Sequence, residues 1–468
     1  NLTENLYLIK GGNMIYPEFI NNKPIGVVAP SCGITDELDK VRFENAAKKL
    51  KEKGVETIFG PNVFKSDIKG ASASASERAR EFNDMVSDPV IGAIVSAIGG
   101  DYMCEMLDYV DFDAVKNNPK WFMGYSDNTS LTFSITTLTD VASIYFDNYG
   151  SFGMEPWHKA VDSTFNFLYG NYGKTLTLDS YKKHESNFKK YVTGLETYLT
   201  DTDVKYKAYE NGKITDELSF SGRVIGGCVD LISFLAGTKY EDFLGFVQRY
   251  KQDKVILYLE SFVGNSEETV RILWRLKNLG WFEDLSGVII GRPTFVSSDY
   301  EVEYEEAVLR GLDGRVKNVV FGADIGHRLP QFSMINGSYA TIDVKDFSAS
   351  LPDGKLICLL GPSGCGKTTL LNMLSGLLSP SDGRVTLDGK DIYSFTDKEL
   401  SLLRNEHFGV VPQGHTGLEN LTVLENVLLP YALYHKDNGA EKKAFELLER
   451  VDILNLAEAY PSELSCGE

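Results

Sequence analysis

Lys120-Trp-Phe-Met-Gly-Tyr-Ser-Asp-Asn-Thr-Ser-Leu131 passes from an apolar run to a helix-capping signal within a few residues. Trp121, Phe122 and Met123 predict a buried strand, Gly124 permits a tight turn, and a helix opens from Asp127. Ser126 therefore stands on a strand-to-helix corner. Such a corner lifts a hydroxyl clear of the backbone, and the Asp127 amide faces the same space at a helix start, where it can stabilise an oxyanion. The same residues also read as an N-cap serine or an Asx turn, because Ser-Asp-Asn-Thr is rich in capping side chains. The nucleophile-elbow pattern Gly-x-Ser-x-Gly is incomplete, with Asn128 in its last position.

Working outward, a chain of 468 residues is too long for one core and predicts two to four domains. Hydrophobic content of 43% and charged content of 24% supply an ordinary globular core. A formal net charge of -19 argues against a general nucleic-acid binder, which needs a basic excess to neutralise phosphates. No apolar run is long enough to span a bilayer, and the expectation is a cytoplasmic protein. The six cysteines form no Cys-x-x-Cys pair, which favours reduced thiols over disulfides or zinc. Residues 1–13, which lack an initial Met and hold Lys10-Gly11-Gly12 just before Met14, are expected to be a non-native or disordered leader.

From Pro24 strand and helix signals alternate. Strands are expected at Ile25 to Ala29, Glu56 to Phe59, Ile91 to Ile98 and Trp121 to Met123, with helices over Asp36 to Lys53, Glu77 to Val86 and from Tyr102. This alternation implies an α/β lobe, residues 14–160, with a parallel sheet whose site lies at the carboxyl ends of its strands. Gly99-Gly100 and Ser126 both fall at such ends. Gly100 is the candidate second oxyanion donor beside Asp127, although the pair also reads as a plain turn. Residues 161–220, aromatic and polar with weak periodicity, predict a linker or lid. Order returns over 221–345. Glu260 ends the strand Val255 to Leu259, a helix covers Glu267 to Leu279, and strands follow at Val288 to Ile290 and Val319 to Phe321. His327 then lies in Gly322-Ala-Asp-Ile-Gly-His-Arg-Leu-Pro-Gln331. Ser126, Glu260 and His327 thus supply nucleophile, orienting carboxylate and base in that chain order.

Gly-Gly-Asp at 99–101, Gly-Tyr-Ser-Asp at 124–127, Leu-Glu-Ser at 259–261 and Gly-His-Arg-Leu-Pro-Gln at 326–331 resemble the motifs of the LD-carboxypeptidase family of serine peptidases, closest to its microcin C self-immunity branch. The resemblance covers about 14–345. It implies a flavodoxin-like N-terminal lobe bearing Ser126 and a mixed α/β C-terminal lobe bearing Glu260 and His327. It further implies Gly100 and Asp127 amides as oxyanion donors, a homodimer and no cofactor. The implied substrate is a cell-wall tetrapeptide cleaved between L and D centres, or an amide joining an acidic residue to a nucleotide analogue. Arg292, just after a strand, reads either as a ligand for a substrate carboxylate or as a surface arginine.

Beyond 345 the chain changes character. Lys355 to Leu360 predicts a buried strand, and Gly361-Pro-Ser-Gly-Cys-Gly-Lys-Thr368 completes the strand-loop-helix context of a phosphate loop. Gly361, Ser363, Gly364, Gly366, Lys367, Thr368, Thr369 and Gln413 are the candidate nucleotide ligands, with Thr368 and Gln413 on magnesium if ATP binds. Val410-Val-Pro-Gln413, Leu421 to Asn426 and Leu464-Ser-Cys-Gly-Glu468 resemble the glutamine loop, the helix after it and the signature motif of ABC-transporter ATPases. That resemblance implies a transporter membrane subunit as partner. No Walker B strand follows, so residues 346–468 are expected to be an incomplete P-loop NTPase domain that hydrolyses little ATP, and the chain a truncated or chimeric product. Tyr339 is the only aromatic near the place of an adenine-stacking residue. Two classes compete: a serine carboxypeptidase with an ATPase-like tail, and a transporter ATPase subunit with a cargo-processing lobe.

Overall fold

A computed structural model describes residues 2–7, 14–67, 69–171, 175–187, 192–262, 264–345, 367–380, 384–410, 417–434 and 440–464. The chain divides into two compact units, Asn1–Ser348 and Ala349–Glu468.

In the first unit, Ile25–Val28, Thr57–Phe59, Ala93–Ser96, Trp121–Gly124 and Ser143–Tyr145 form a parallel sheet in the spatial order second, first, third, fourth, fifth. That is the flavodoxin-like order, with its switch point between the first and third strands. Every residue of Ile25–Val28, Ala93–Ser96 and Trp121–Gly124 is buried, which is why these strands read as unbroken apolar runs. Helices Glu37–Glu52 and Ala75–Ser87 make the crossovers as expected. The helix expected from Tyr102 is instead a 3₁₀ segment, Met103–Tyr109, followed by the short helix Phe112–Asn117. A sixth strand, Met334–Asn336, pairs antiparallel with Ser143–Tyr145 and stitches the end of the unit into its first sheet.

The second sheet of this unit has nine strands. Its centre is the parallel set Glu217–Cys228, Val255–Glu260, Leu285–Gly291 and Asn318–Ala323. Tyr339–Lys345 runs antiparallel to Glu217–Cys228 as a strand of the first unit, so Tyr339 lies within this sheet. Two further expectations are corrected here. Residues 2–7, expected to stand outside the fold, form a strand between Tyr339–Lys345 and Thr175–Asp179. Residues 161–220 are no simple linker: Thr175–Asp179, Lys207–Glu210 and Lys213–Thr215 all join this sheet. The reason is alternation, since Leu176 and Leu178, then Leu218 and Phe220, are buried at every second position.

Helix Thr129–Thr139 carries the corner serine's strand into the core and is buried at nearly every position. Several of its hydroxyls bond back along the helix, as from Ser134 to the Ser130 carbonyl at 2.7 Å and from Thr137 to that of Phe133 at 2.9 Å, while the buried Ser130 hydroxyl has no partner among the described residues. Phe133 stacks on Trp281 at 5.7 Å, and Trp281 on Phe243 at 4.2 Å, so the two lobes share one packed interior.

The second unit contains helices Lys367–Leu374, Asp397–His407, Val423–Ala432 and Ala440–Arg450 among its described residues. Capping boxes start two of them, Thr396 with Glu399 and Thr422 with Glu425. The second of these is the helix expected after the glutamine loop. The strand expected at 356–360, Gly361, Ser363, Gly364, Gly366, Gln413 and the 465–468 end of the signature-like motif lie outside the described residues. Among the described residues no helix is long and apolar enough to cross a membrane.

Candidate active site

The strand Trp121–Gly124 ends in extended Tyr125, and Ser126 then takes a left-handed φ of 64° before the short turn into helix Thr129–Thr139. A non-glycine residue held there costs about 1–3 kcal/mol and persists only where its surroundings enforce it. Those surroundings are specific. Asn128 donates from Nδ2 to the Tyr125 carbonyl at 2.9 Å and to Asn148 Oδ1 at 3.1 Å. The buried Asp127 carboxylate accepts from the Ser31 hydroxyl and from the Met103 amide at 2.9 Å, pinning the chain that follows Gly100. Burial pushes the Asp127 carboxyl above its ordinary range, although these donors oppose it.

Gly99 and Gly100 are glycines for want of room. A Cβ on Gly99 would lie 3.1 Å from Ser126 Oγ, and one on Gly100 2.4 Å from both Cys32 Sγ and Ser31 Oγ. The glycine pair thus packs directly against the serine corner.

Glu260 ends the strand Val255–Glu260 and is fully buried. Its Oε2 lies 3.0 Å from His327 Nδ1, and its Oε1 accepts from the Tyr145 hydroxyl at 2.5 Å. Burial pushes this carboxyl up, but His327, Tyr145 and Cys228 outweigh it and hold it below its ordinary value. Gly326, at φ 102°, allows the approach: a Cβ there would meet Glu260 Oε2 at 2.6 Å. The imidazole packs against the rings of Tyr125, at 4.8 Å, and Phe262, at 4.4 Å. Its Nε2 is buried and has no hydrogen-bond partner among the described residues, so Ser126 Oγ is not bonded to it in this state.

Tyr145 closes the circuit. Its oxygen accepts the Ser126 backbone N–H at 3.3 Å while its hydroxyl donates to Glu260. Burial, then the Glu260 charge, push the phenol well above its ordinary value, so it remains a donor. Nothing in the sequence singled out Tyr145, whose strand Ser143–Tyr145 was not among those expected.

Arg292 fits neither of its expected roles. It is buried and paired with buried Asp324 at 2.6 Å. Its Nη2 donates to the carbonyls of Arg328 at 2.8 Å and Pro330 at 2.9 Å, which follow His327 in the chain as Asp324 precedes it. Asp324 also accepts from the Tyr181 amide at 3.2 Å and the Tyr206 hydroxyl. The segment expected as a lid therefore anchors the histidine loop.

In the second unit, Thr368 and Thr369 are exposed in the first turn of Lys367–Leu374. Hydroxyls at a helix start can donate to phosphate and offer oxygen lone pairs to magnesium.

Residues 25–146 match the model of the LD-carboxypeptidase N-terminal domain, and residues 221–342 that of its C-terminal domain. The first unit belongs to the LD-carboxypeptidase family. Residues 344–468 match the ABC transporter model, so a unit of this peptidase family is joined to an ABC ATP-binding domain. Among curated relatives, a putative carboxypeptidase of Vibrio cholerae is 27% identical over 73% of this chain and 98% of its own length. The microcin C7 self-immunity protein MccF of Escherichia coli is 28% identical over 67% of this chain and 89% of its own. The ABC transporter ATP-binding protein YtrE of Bacillus subtilis is 41% identical over 27% of this chain; the chain spans 54% of that relative's length. The solved structure of wild-type MccF without ligand superimposes with a TM-score of 0.59 at 24% identity, covering 72% of this chain and 99% of that one. MccF in complex with aspartyl sulfamoyl adenosine gives 0.58 at 25% identity, over the same shares of the two chains.

Proposed function

We propose that the first unit hydrolyses an amide bond in a small peptide or peptide-nucleotide through Ser126, His327 and Glu260. The observation that carries this is the imidazole of His327, anchored at Nδ1 to Glu260, unpartnered at Nε2, and linked through Glu260 and Tyr145 to the backbone of a left-handed serine. Glu260 fixes the tautomer with the proton on Nδ1, leaving Nε2 as the base. Substrate binding would tighten the serine-histidine contact, which is commonly long without it. Nε2 then takes the Ser126 proton as Oγ attacks the carbonyl carbon. The amides of Gly100 and Asp127 stabilise the resulting oxyanion, and His327 returns the proton to the departing amine. Water, deprotonated by the same nitrogen, releases the acid and restores the serine. None of these steps calls on a cofactor.

Two substrate classes fit the family: a murein tetrapeptide cut between L and D centres, and an acidic residue amide-linked to a nucleotide analogue, the latter favoured by the aspartyl sulfamoyl adenosine bound to MccF. The working form is a cytoplasmic homodimer. In the second unit the loop from Gly361 to Thr369 would hold ATP phosphates, Thr368 and Gln413 a magnesium ion, and a membrane subunit of a transporter would be its partner. A second reading follows from the ABC match: the chain is an ATP-binding subunit whose peptidase lobe processes cargo.

The test is product analysis by mass spectrometry with both substrate classes. Ser126→Ala should cut turnover by roughly a millionfold, the scale seen when a serine nucleophile is removed. It should unfold within about 0.5 kcal/mol of the parent. Hydrolysis that survives this substitution would refute the mechanism.

A further inference from the structure

Two arginines flank the His327 loop, and their electrostatic situations differ. Arg292 is neutralised by Asp324 at 2.6 Å. Arg328, the residue after His327, has no carboxylate within ion-pair distance among the described residues. Its Nη2 donates to the Thr294 carbonyl at 2.9 Å, and its Nε is buried without a partner. A guanidinium cannot shed its proton in a protein, so this half-buried charge is left with one carbonyl and no counter-ion, which is unfavourable. Burial and the nearby Arg292 both act against it, lowering its pKa.

Its location relative to the imidazole is fixed by a short chain of contacts. The Thr294 amide donates to the Ser261 carbonyl at 3.0 Å. The next residue, Phe262, packs on the His327 ring at 4.4 Å and on Phe295 at 5.3 Å, and Phe295 is 53% exposed. The guanidinium is thus tethered to the loop that walls one side of the imidazole, next to an accessible aromatic surface. In a chain of net charge -19, an anionic ligand is not drawn in by overall charge and needs a local cation.

We propose that Arg328 is the anion-recognition residue of this site, binding an oxyanionic group on the leaving part of the substrate. That group is a peptide's terminal carboxylate or the ionised linkage of a nucleotide conjugate, both of which suit a planar guanidinium fork. The inference rests on the hydrolase reading, and binding separates the two. Full-length Ser126→Ala protein is titrated calorimetrically with a peptide ending in D-alanine, the same peptide ending in D-alaninamide, and aspartyl sulfamoyl adenosine. Adding Arg328→Gln should weaken the carboxylate peptide or the nucleotide conjugate by about 10- to 100-fold, the worth of one charged hydrogen bond, and leave the amide unchanged. Arg328→Lys should recover part of the loss, and whichever anionic ligand responds identifies the source. Equal weakening of all three ligands, no weakening, or no binding of any of them would overturn the proposal. With Ser126 in place, hydrolysis left unchanged by Arg328→Gln would sink this inference and spare the hydrolase; Arg328-dependent binding without hydrolysis would do the reverse.

Discussion

Replacing Tyr145 with Phe removes one hydroxyl from a fully buried ring and leaves its packing in place. Two bonds go with it: the donation to Glu260 Oε1 at 2.5 Å and the acceptance from the Ser126 N–H at 3.3 Å. A hydrogen bond to a charged group contributes about 1.5–3 kcal/mol, and the longer amide bond adds less. The first unit should therefore lose about 2–3 kcal/mol at neutral pH, seen as a lower urea midpoint at unchanged slope. The loss carries a sign in pH. Glu260 is held below its ordinary value in the fold, so its charge contributes stability above its unfolded pKa, and this is lost as pH falls through the folded one. Removing the Tyr145 donor raises the folded pKa. The gap between parent and variant should then shrink on acidification, and the acid limb of kcat/KM should move to higher pH. A gap constant with pH, together with an unmoved acid limb, would show that Tyr145 only fills space.

His158 caps helix Lys159–Tyr169 by accepting from the Ala160 amide at 3.1 Å, and burial, then Lys159, lower its pKa to about 4. Between that value and an unfolded one of about 6.5 the unfolded chain binds the extra proton, so stability should rise with pH across this window; His158→Asn, which keeps a capping acceptor, should flatten the rise in denaturation curves taken at each pH. Limited proteolysis should cut first within Ala349–Glu468 and leave an active fragment ending near Ser348. The buried hydrophobics of that unit are few among its described residues, namely Ile392, Leu400, Val423, Leu424, Ala444, Leu448 and Ala457, while Leu371, Leu377 and Leu433 are more than half exposed; early cuts in the first unit would contradict this.

The sheet of the Ser126 lobe was legible because parallel strands covered on both faces read as apolar runs, and Ile25–Val28, Ala93–Ser96 and Trp121–Gly124 are such strands. Its spatial order became legible only through the family resemblance. Thr175–Asp179 and Lys207–Glu210 stayed hidden because their partners, Leu2–Tyr7 and Asn318–Ala323, are far away in sequence, and short alternations among aromatic residues give no periodic signal of their own. Arg292 shows the same limit in the site. A charge after a strand reads as solvated or ligand-binding, and nothing local reveals that Asp324 will bury and neutralise it.

Asn128, the departure from the elbow pattern, turns out to explain how the corner is held. In Gly-x-Ser-x-Gly two missing side chains give the strained serine its room. Here only Gly124 lacks one, and a Cβ there would lie 2.9 Å from both Cβ and Cγ of Asn128. The space left at 124 is therefore filled from 128, by an amide that ties Tyr125 to Asn148 across the corner. Steric freedom at the last position is exchanged for hydrogen bonds that enforce the left-handed serine. It follows that Gly124 and Asn128 are coupled: a side chain at 124 would displace the Asn128 amide, and with it the restraint on Ser126, before it reached the nucleophile itself.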